Sequence, residues 1–393
     1  MILIGIDVGK DSHTFSIVSK DSGVILVEPT EFSNTKSGFS TLYNHFIPYD
    51  KDELLIGMED TGHYHFNLLK DLLDQHFTVA LINPVVTDLT RKMQGGVSKN
   101  DKLDSLTICD VLASSARKKS YRITKLNRFD LYEQRQLTRH HHNLKEELNV
   151  YTNRLQKCID VVFPEYNHLF KSKYGSVYMQ LLKNFSSADK IANAELSELE
   201  PFFENQRGRR ISLTPQLLQQ TAQNSVGIPS CAEEIQIKHL IAQIELIQAQ
   251  IAEIDKKIEE FSLQMNSPIL TIPGVSHFSG TSILAELGEI CNYSSAAKII
   301  KFAGLAPYEY QSSQFKAEHM PISKKGSKYL RKTLYQVILP VIRFNPVFQD
   351  YYRLKRSQGK GHRCAQGHCI RKLLRVIYHL LSTQQSFDPL LLK

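Results

Sequence analysis

Four acidic residues, Asp7, Glu59, Asp101 and Asp104, stand where carboxylates are costly unless a cation offsets them. Asp7 lies within Ile2-Leu3-Ile4-Gly5-Ile6-Asp7-Val8-Gly9, a run otherwise suited to a strand buried on both faces, and Glu59 ends the run Leu54-Leu55-Ile56-Gly57-Met58. A buried carboxylate without a partner is destabilising, so a chain that keeps one usually supplies a positive charge. Asp101 and Asp104 are three apart at the start of a predicted helix, which puts both on one face. Hard oxygen ligands converging from two strand ends and a helix suit Mg²⁺ or Mn²⁺. Two such ions about 4 Å apart can clamp the attacking and leaving oxygens of a phosphodiester. Singly, plainer readings exist: Asp101 as an acid favoured by a helix N-terminus, Glu59 as a turn cap. Gly5-Ile6-Asp7-Val8-Gly9 also fits the first phosphate loop of an actin-like or sugar-kinase ATPase. That fold needs a second phosphate loop and an adenosine-binding glycine pair, whereas this chain turns to coiled coil after about residue 130.

The elements that must position these acids follow from the pattern around them. Residues 2–8, 13–19 and 23–28 read as three successive antiparallel strands. A helix follows near Lys36 to Phe46, then a strand Glu53 to Met58, a helix His65 to Asp74, a strand Phe77 to Ile82 and a helix Asp101 to Ala116. A three-strand meander followed by alternating helix and strand is the order of an RNase H-like (RuvC-like) α/β domain, expected over 1–125. A helical, coiled-coil region is expected over 126–266 and a mainly helical, basic domain over 267–393. In the middle region Leu240, Ile247, Ile254 and Phe261 hold one heptad position and Ile244, Ile251, Ile258 and Met265 the other. Either a homodimer or higher homo-oligomer, or an antiparallel hairpin with the helix near 131–162 of the same chain, would bury that seam.

Charge and composition bound the class. The 393 residues are 42% hydrophobic and 22% charged, with net charge +8. From residue 301 onward there are 17 Lys and Arg against 4 Asp and Glu, so the C-terminal quarter carries the excess and faces a polyanion. The longest apolar runs, such as Val337 to Ile342, fall far short of a membrane span. The first residues lack a basic leader, so a cytoplasmic location is expected. Six scattered cysteines form no disulfide framework. Cys364 and Cys369 with His362 and His368 are too crowded to close a zinc tetrahedron easily.

The C-terminal part adds motifs. Leu270-Thr271-Ile272-Pro273-Gly274-Val275-Ser276 before Thr281 to Leu287 is helix-hairpin-helix-like, with Gly274 in a turn that offers N–H groups to a phosphate; Ser276 stands where a second glycine is usual, and pure packing reads as well. Next come Phe302-Ala303-Gly304-Leu305-Ala306-Pro307, Gln311-Ser312-Ser313, and Ile322-Ser323-Lys324-Lys325-Gly326 leading to Leu330-Arg331-Lys332. With the acidic set upstream, these motifs resemble the DEDD-type insertion-sequence transposases (family one-ten), which include Piv-type DNA invertases and bridge-RNA-guided recombinases. The resemblance covers nearly the whole chain.

That resemblance implies that Asp7, Glu59, Asp101 and Asp104 form a metal-binding tetrad and that Ser312, five residues after Pro307, is a nucleophile. Family members commonly carry glycine after that serine, so Ser313 leaves the register open by one. A serine hydroxyl can hold a DNA end as a phosphoserine ester once activated, and a basic domain delivering it would complete a composite site, expected across a dimer. The resemblance further implies DNA partners at donor and target ends and a structured non-coding RNA. Ser323, Lys324, Lys325 and Arg331 are candidates for nucleic-acid contact. Arg135, Arg139, His140, His141, His142, Lys145 and Arg154 on the first long helix could face RNA, or simply form a solvated charged face. An RNA-independent invertase shares every residue named here, and a Holliday-junction-type nuclease needs the acids but no serine.

Overall fold

The computed structural model describes residues 1–60, 62–93, 101–114, 121–124, 129, 131–171, 173–204, 213–307, 311–312, 315–316 and 321–392; the side chains of 101, 102, 122, 204, 311, 312, 315, 316, 391 and 392 fall outside that description. The chain gathers into two compact units, Met1–Glu133 and Gln134–Lys393. The segments expected on either side of residue 266 thus share the second unit.

The first unit is built on one sheet. Its elements run β1 (Ile2–Val8), β2 (Ser12–Ser19), β3 (Ile25–Ser33), α1 (Lys36–Asn44), β4 (Leu54–Glu59), α2 (Phe66–Asp74), β5 (Val79–Ile82), α3 (Pro84–Met93), α4 (Asp101–Ala113) and β6 (Tyr121–Thr124), and the strand order is β3-β2-β1-β4-β5-β6. β1 pairs antiparallel with β2 and parallel with β4, and β4 pairs parallel with β5. The inner strands are covered on both faces, which is why they read as unbroken apolar runs. Ile4, Ile6, Ile56 and Met58 pack with Phe39 and Leu42 of α1 and Leu68, Leu69 and Leu72 of α2. Leu3 and Leu55 turn the other way, onto Ile108, Cys109 and Leu112 of α4. Two elements lay outside the sequence reading, α3 and the edge strand β6. β3 also runs to Ser33, beyond the expected 23–28: Val24, Ile25 and Leu26 are exposed, and the strand's buried contact is Phe32 near its far end.

The second unit is helical. After α5 (Tyr132–Val162) come the short helices α6 (Ser176–Asn184), α7 (Ala188–Ala192), α8 (Leu196–Leu199), α9 (Pro201–Glu204) and α10 (Pro215–Gln223), then α11 (Cys231–Met265), α12 (His277–Leu287), α13 (Ala296–Phe302), the two-residue strands β7 (Gln311–Ser312) and β8 (Phe315–Lys316), α14 (Lys328–Phe344), α15 (Pro346–Ser357) and α16 (His362–Thr383). α5 and α11 lie antiparallel. Leu155, Ile159 and Val162 share a core with Ile237, Leu240, Ile241 and Ile244, while Leu144 packs with Ile247, Ile251, Ile254 and Ile258. Cys158 meets Gln236 near one end and His141 meets Asp255 near the other. The heptad seam is therefore buried inside one chain: Ile247 and Ile254 are only 6% and 7% exposed. The heptads accordingly carry no argument for the dimer, because a seam closed by its own chain has no apolar face to offer. α12, α13, α14, α15 and α16 surround a separate core centred on Leu334, Ile338, Leu373 and Ile377. No described helix is long and apolar enough to cross a membrane.

Candidate functional site

Two glycines decide how the acidic residues meet. Gly5 on β1 and Gly57 on β4 are direct partners in the parallel ladder. A Cβ on Gly5 would land on the Ser105 carbonyl oxygen and within 2.9 Å of Cys109 Sγ; one on Gly57 would reach Leu112 Cδ1 at 2.8 Å. The pair forms a trough into which α4 settles without side chains intervening. The Ser16 and Ser105 hydroxyls bond at 2.7 Å beside it, and burial pushes the Cys109 thiol up to about 12, so this cysteine is an inert packing group. Gly5→Ala should lift α4 and cost about 1–3 kcal/mol, read as a lower urea midpoint; an unchanged midpoint would mean that the approach does not matter.

The trough places the acids. β1 and β4 are in register up to Ile6↔Met58, so Asp7 and Glu59 each follow one residue later, on neighbouring strands. Asp7 is half-buried, as is Glu59, and Asp104, which directly precedes Ser105 on α4, is 9% exposed. Asp101 is the first residue of α4, with its side chain outside the described residues. The sheet and α4 therefore bring Asp7, Glu59 and Asp104 to one end of the unit.

The unexpected helix α3 engages two of them. Thr87 Oγ1 donates to Glu59 Oε1, and Arg91 Nη1 lies 3.4 Å from Asp104 Oδ1. Beside them, fully buried His65 faces Asp60 at 3.5 Å. The signal for α3 was in the sequence: Asn83 precedes Pro84 and accepts from the Val85 N–H at 3.0 Å, a helix start. Its apolar residues Val85, Leu89 and Met93 recur every four positions but are exposed. In kind, the donors suit a hard divalent cation, being carboxylate oxygens near strand ends. Among the described residues, no three acidic, histidine or cysteine side chains are gathered into a metal-holding cluster.

In the second unit, Ser312 ends β7 and pairs with Phe315 of β8; its side chain and all of Ser313 lie outside the described residues. The segment that holds them is pinned at its base. Pro307 bridges Ile322, Ser323 and Lys324 donate backbone N–H groups to Ala306 and Gly304 at 2.9 and 3.0 Å, and Ser327 donates to Phe302 at 3.2 Å. Lys324 itself is held at φ +52°, and Gly326 at φ +128°, where any side chain would strike the Phe302 carbonyl. Arg331 braces this clasp, donating to the Ala303 and Lys324 carbonyls at 3.2 Å each. A pocket of about 390 Å³ opens beside it, lined by Ile322, Lys324, Lys328, Arg331, Lys332, Tyr335 and Arg363. Lys325 is exposed and Ser323 half-buried.

Other candidates have structural duties. A Cβ on Gly274 would come within 2.6 Å of the Pro340 and Val341 backbone, so this glycine lets its turn lie against α14. The first turn of α12 is closed by a reciprocal capping box between Ser276 and Ser279, which occupies donors that a phosphate would need. On the first long helix His140, Lys145 and Arg154 are exposed, whereas Arg135, Arg139, His141 and His142 are engaged within the second unit. Arg139 forms a two-point pair with buried Glu286 at 2.6 and 3.1 Å, and Glu286 also accepts from Ser327 Oγ at 2.6 Å. Arg135 Nε donates to the Ala285 carbonyl at 2.6 Å. His142 contacts Thr333 Oγ1 at 2.9 Å, and burial pushes its pKa down to about 4, leaving it neutral near pH 7. His141 lies in a tilted ring contact with Phe278, centroids 4.1 Å apart. These groups bind the helices of the second unit to one another, a task no local pattern announces. At the other crowded pair, Cys369 is buried in α16 and Cys364 exposed, with no disulfide.

Comparison with known proteins agrees along the chain. Residues 4–164 match the DEDD-type family model described as Transposase, and residues 266–353 match the model described as Transposase IS116/IS110/IS902 family. The pilin gene-inverting protein of Moraxella lacunata is 23% identical over 389 residues, 98% of this chain and 97% of that one. The 44.8 kDa protein of insertion element IS116 from Streptomyces clavuligerus is 22% identical over 395 residues, 99% and 96% of the two chains. The transposase for insertion sequence element IS1328 of Yersinia enterocolitica is 34% identical over 89 residues, 22% of this chain and 26% of that one. With both models matched in order and relatives aligned end to end, the chain belongs to the IS110-type family of transposases.

Proposed function

We propose that the protein is a DNA recombinase that cuts and rejoins the ends of an insertion sequence by serine transesterification in a metal-dependent reaction. The observation that supports the metal half is the placement of Asp7 and Glu59 on neighbouring parallel strands, with Asp104 on the helix α4 that seats on Gly5 and Gly57 of those strands. The sheet order, with a meander followed by two parallel strands, supports an RNase H-like (RuvC-like) domain. Asp7, Glu59, Asp101 and Asp104 would hold Mg²⁺ or Mn²⁺, which when bound supplies Lewis-acid stabilisation of charge on the phosphodiester oxygens.

Ser312 supplies the covalent half. Its Oγ forms a bond to phosphorus while the bond from phosphorus to the leaving deoxyribose oxygen breaks, and the serine proton passes to that oxygen. The ester conserves the bond energy, so rejoining is the same exchange in reverse with a new DNA hydroxyl. The clasp from Phe302 to Ser327 fixes both ends of the segment that bears the serine, which is what a nucleophile needs to be presented in one geometry.

The pocket of Lys324, Lys328 and Arg363 would take the nucleic-acid backbone, with Arg331 holding the clasp rather than contacting phosphate. Lys328→Glu and Arg363→Glu should each weaken DNA binding at every sequence and lower the slope of log affinity against log salt by about 1. Lys328 is the first residue of α14, so an acid there suits the helix dipole and spares the fold. An unchanged slope in both variants would remove this pocket from the interface.

A structured RNA transcribed beside the element would choose the sites by pairing. The second reading, an RNA-independent invertase, is favoured by the end-to-end match to a gene-inverting protein. Strand exchange between element-end and target DNA with Mg²⁺, with and without RNA transcribed from the flanking DNA, tests the proposal. Exchange only with RNA supports the guided transposase, exchange without it supports the invertase, and no strand cleavage under either condition refutes both.

A further inference from the structure

Helix α3 is held to the first unit in an unusual way. Thr87 is its only buried residue, and Thr87 is the residue that donates to Glu59. One turn later on the same face, Arg91 meets Asp104 at 3.4 Å, with the two side chains 19% and 12% exposed. Val85, Leu89 and Met93 point outward, 62%, 54% and 88% exposed. A helix that buries its polar face against two carboxylates and leaves its apolar side outside is anchored mainly by those carboxylates, assisted by half-buried Val86.

Arg91 also has a second acid within reach. Asp88, one turn earlier on α3, lies 3.6 Å from its Nη2 and accepts from Lys92 at 2.7 Å. The guanidinium can therefore leave Asp104 and keep a partner. A carboxylate that faces an arginine shares its oxygens between that arginine and any ion it coordinates, and a fixed positive charge beside an ion lowers its affinity.

We propose that Arg91 is a built-in placeholder for the divalent cation: it neutralises Asp104 in the metal-free protein and swings toward Asp88 when metal binds, so that α3 sets the metal affinity of the acidic site. This rests on the reading of Asp7, Glu59, Asp101 and Asp104 as metal ligands. Arg91 is a positioning residue, acting on the site through Asp104, and its consequence for the metal-free protein is relief of repulsion among like charges.

The test is Mn²⁺ binding to the full chain, followed by the electron paramagnetic resonance signal of free Mn²⁺, together with the shift in Tm that Mn²⁺ produces. Arg91→Ala, and Arg91→Gln as a second variant of similar reach, should bind Mn²⁺ roughly 3- to 10-fold more tightly than the wild type. Both should melt lower without metal and gain more Tm on its addition. Asp88→Ala should act in the opposite sense, weakening Mn²⁺ binding by driving Arg91 onto Asp104. That effect should largely vanish in the Arg91→Ala background, which separates action through Arg91 from a general loss of negative charge. Unchanged or weaker Mn²⁺ binding in folded Arg91→Ala and Arg91→Gln overturns the placeholder while leaving the metal site standing. Mn²⁺ binding that is absent in wild type and variants alike, or indifferent to Asp104→Ala, overturns the metal reading and the placeholder with it.

Discussion

Asp7→Asn, Glu59→Gln, Asp101→Asn and Asp104→Asn should each lower strand cleavage at least about a thousandfold, a loss of roughly 4 kcal/mol of transition-state stabilisation, with DNA binding retained. The amide variants keep shape and remove charge, so the sheet and the seat of α4 on Gly5 and Gly57 stay in place. Stability in the absence of metal should separate the four. If the four acids share one site, removing a charge relieves repulsion, but Asp104 faces Arg91 and Glu59 accepts from Thr87, so substitution there also loses a favourable contact. Cleavage of synthetic element-end DNA over a range of Mg²⁺ and Mn²⁺, with circular dichroism as the control for folding, measures both. Full cleavage by any well-folded one of the four removes that residue from the site.

Ser312→Ala should abolish the covalent protein–DNA adduct and strand exchange while changing DNA and RNA affinity by no more than about twofold, since one hydroxyl contributes little contact area. The reasoning is chemical. Four carboxylates with metal can hydrolyse DNA with water, yet recombination must keep the broken end, and a serine ester keeps it without an external energy source. The backbone of Ser312 pairs with Phe315, and alanine preserves that pairing, so the variant tests the hydroxyl and not the hairpin. Ser313→Ala should have the smaller effect. A reaction trapped in denaturant and digested gives the modified peptide directly: an adduct on Ser313 moves the nucleophile by one residue, and normal strand exchange by the Ser312→Ala/Ser313→Ala double variant refutes a serine mechanism.

Much of the first unit was legible because its signals are local. Apolar runs of strand length ending in Asp7 and Glu59 announced buried strands with an acid at each end, and the structure places both residues at adjacent strand ends. Asp101 and Asp104 at a helix start were equally readable. The heptads of α11 declared a buried seam, and it is buried. The concentration of Lys and Arg after residue 301 pointed to the C-terminal helices, where the basic pocket lies.

Tertiary structure alone decided what each of these faces meets. Periodicity reports that one side of a helix leaves water but not which surface receives it, so the seam could not reveal that α5 of the same chain closes it. A charged side chain reads as solvated until its partner is known, and the partner can be far along the chain: Glu286 takes Arg139 across 147 positions. A glycine in a turn suits a phosphate or a neighbouring backbone equally well, and only the packing of α14 assigns Gly274 to the second. α3 escaped for the converse reason, since Val85, Leu89 and Met93 face outward while Thr87 and Arg91 face inward. Sequence patterns assume that water takes the polar face; here Glu59 and Asp104 take it, each offering a carboxylate that Thr87 and Arg91 meet with a hydroxyl donor and a positive charge.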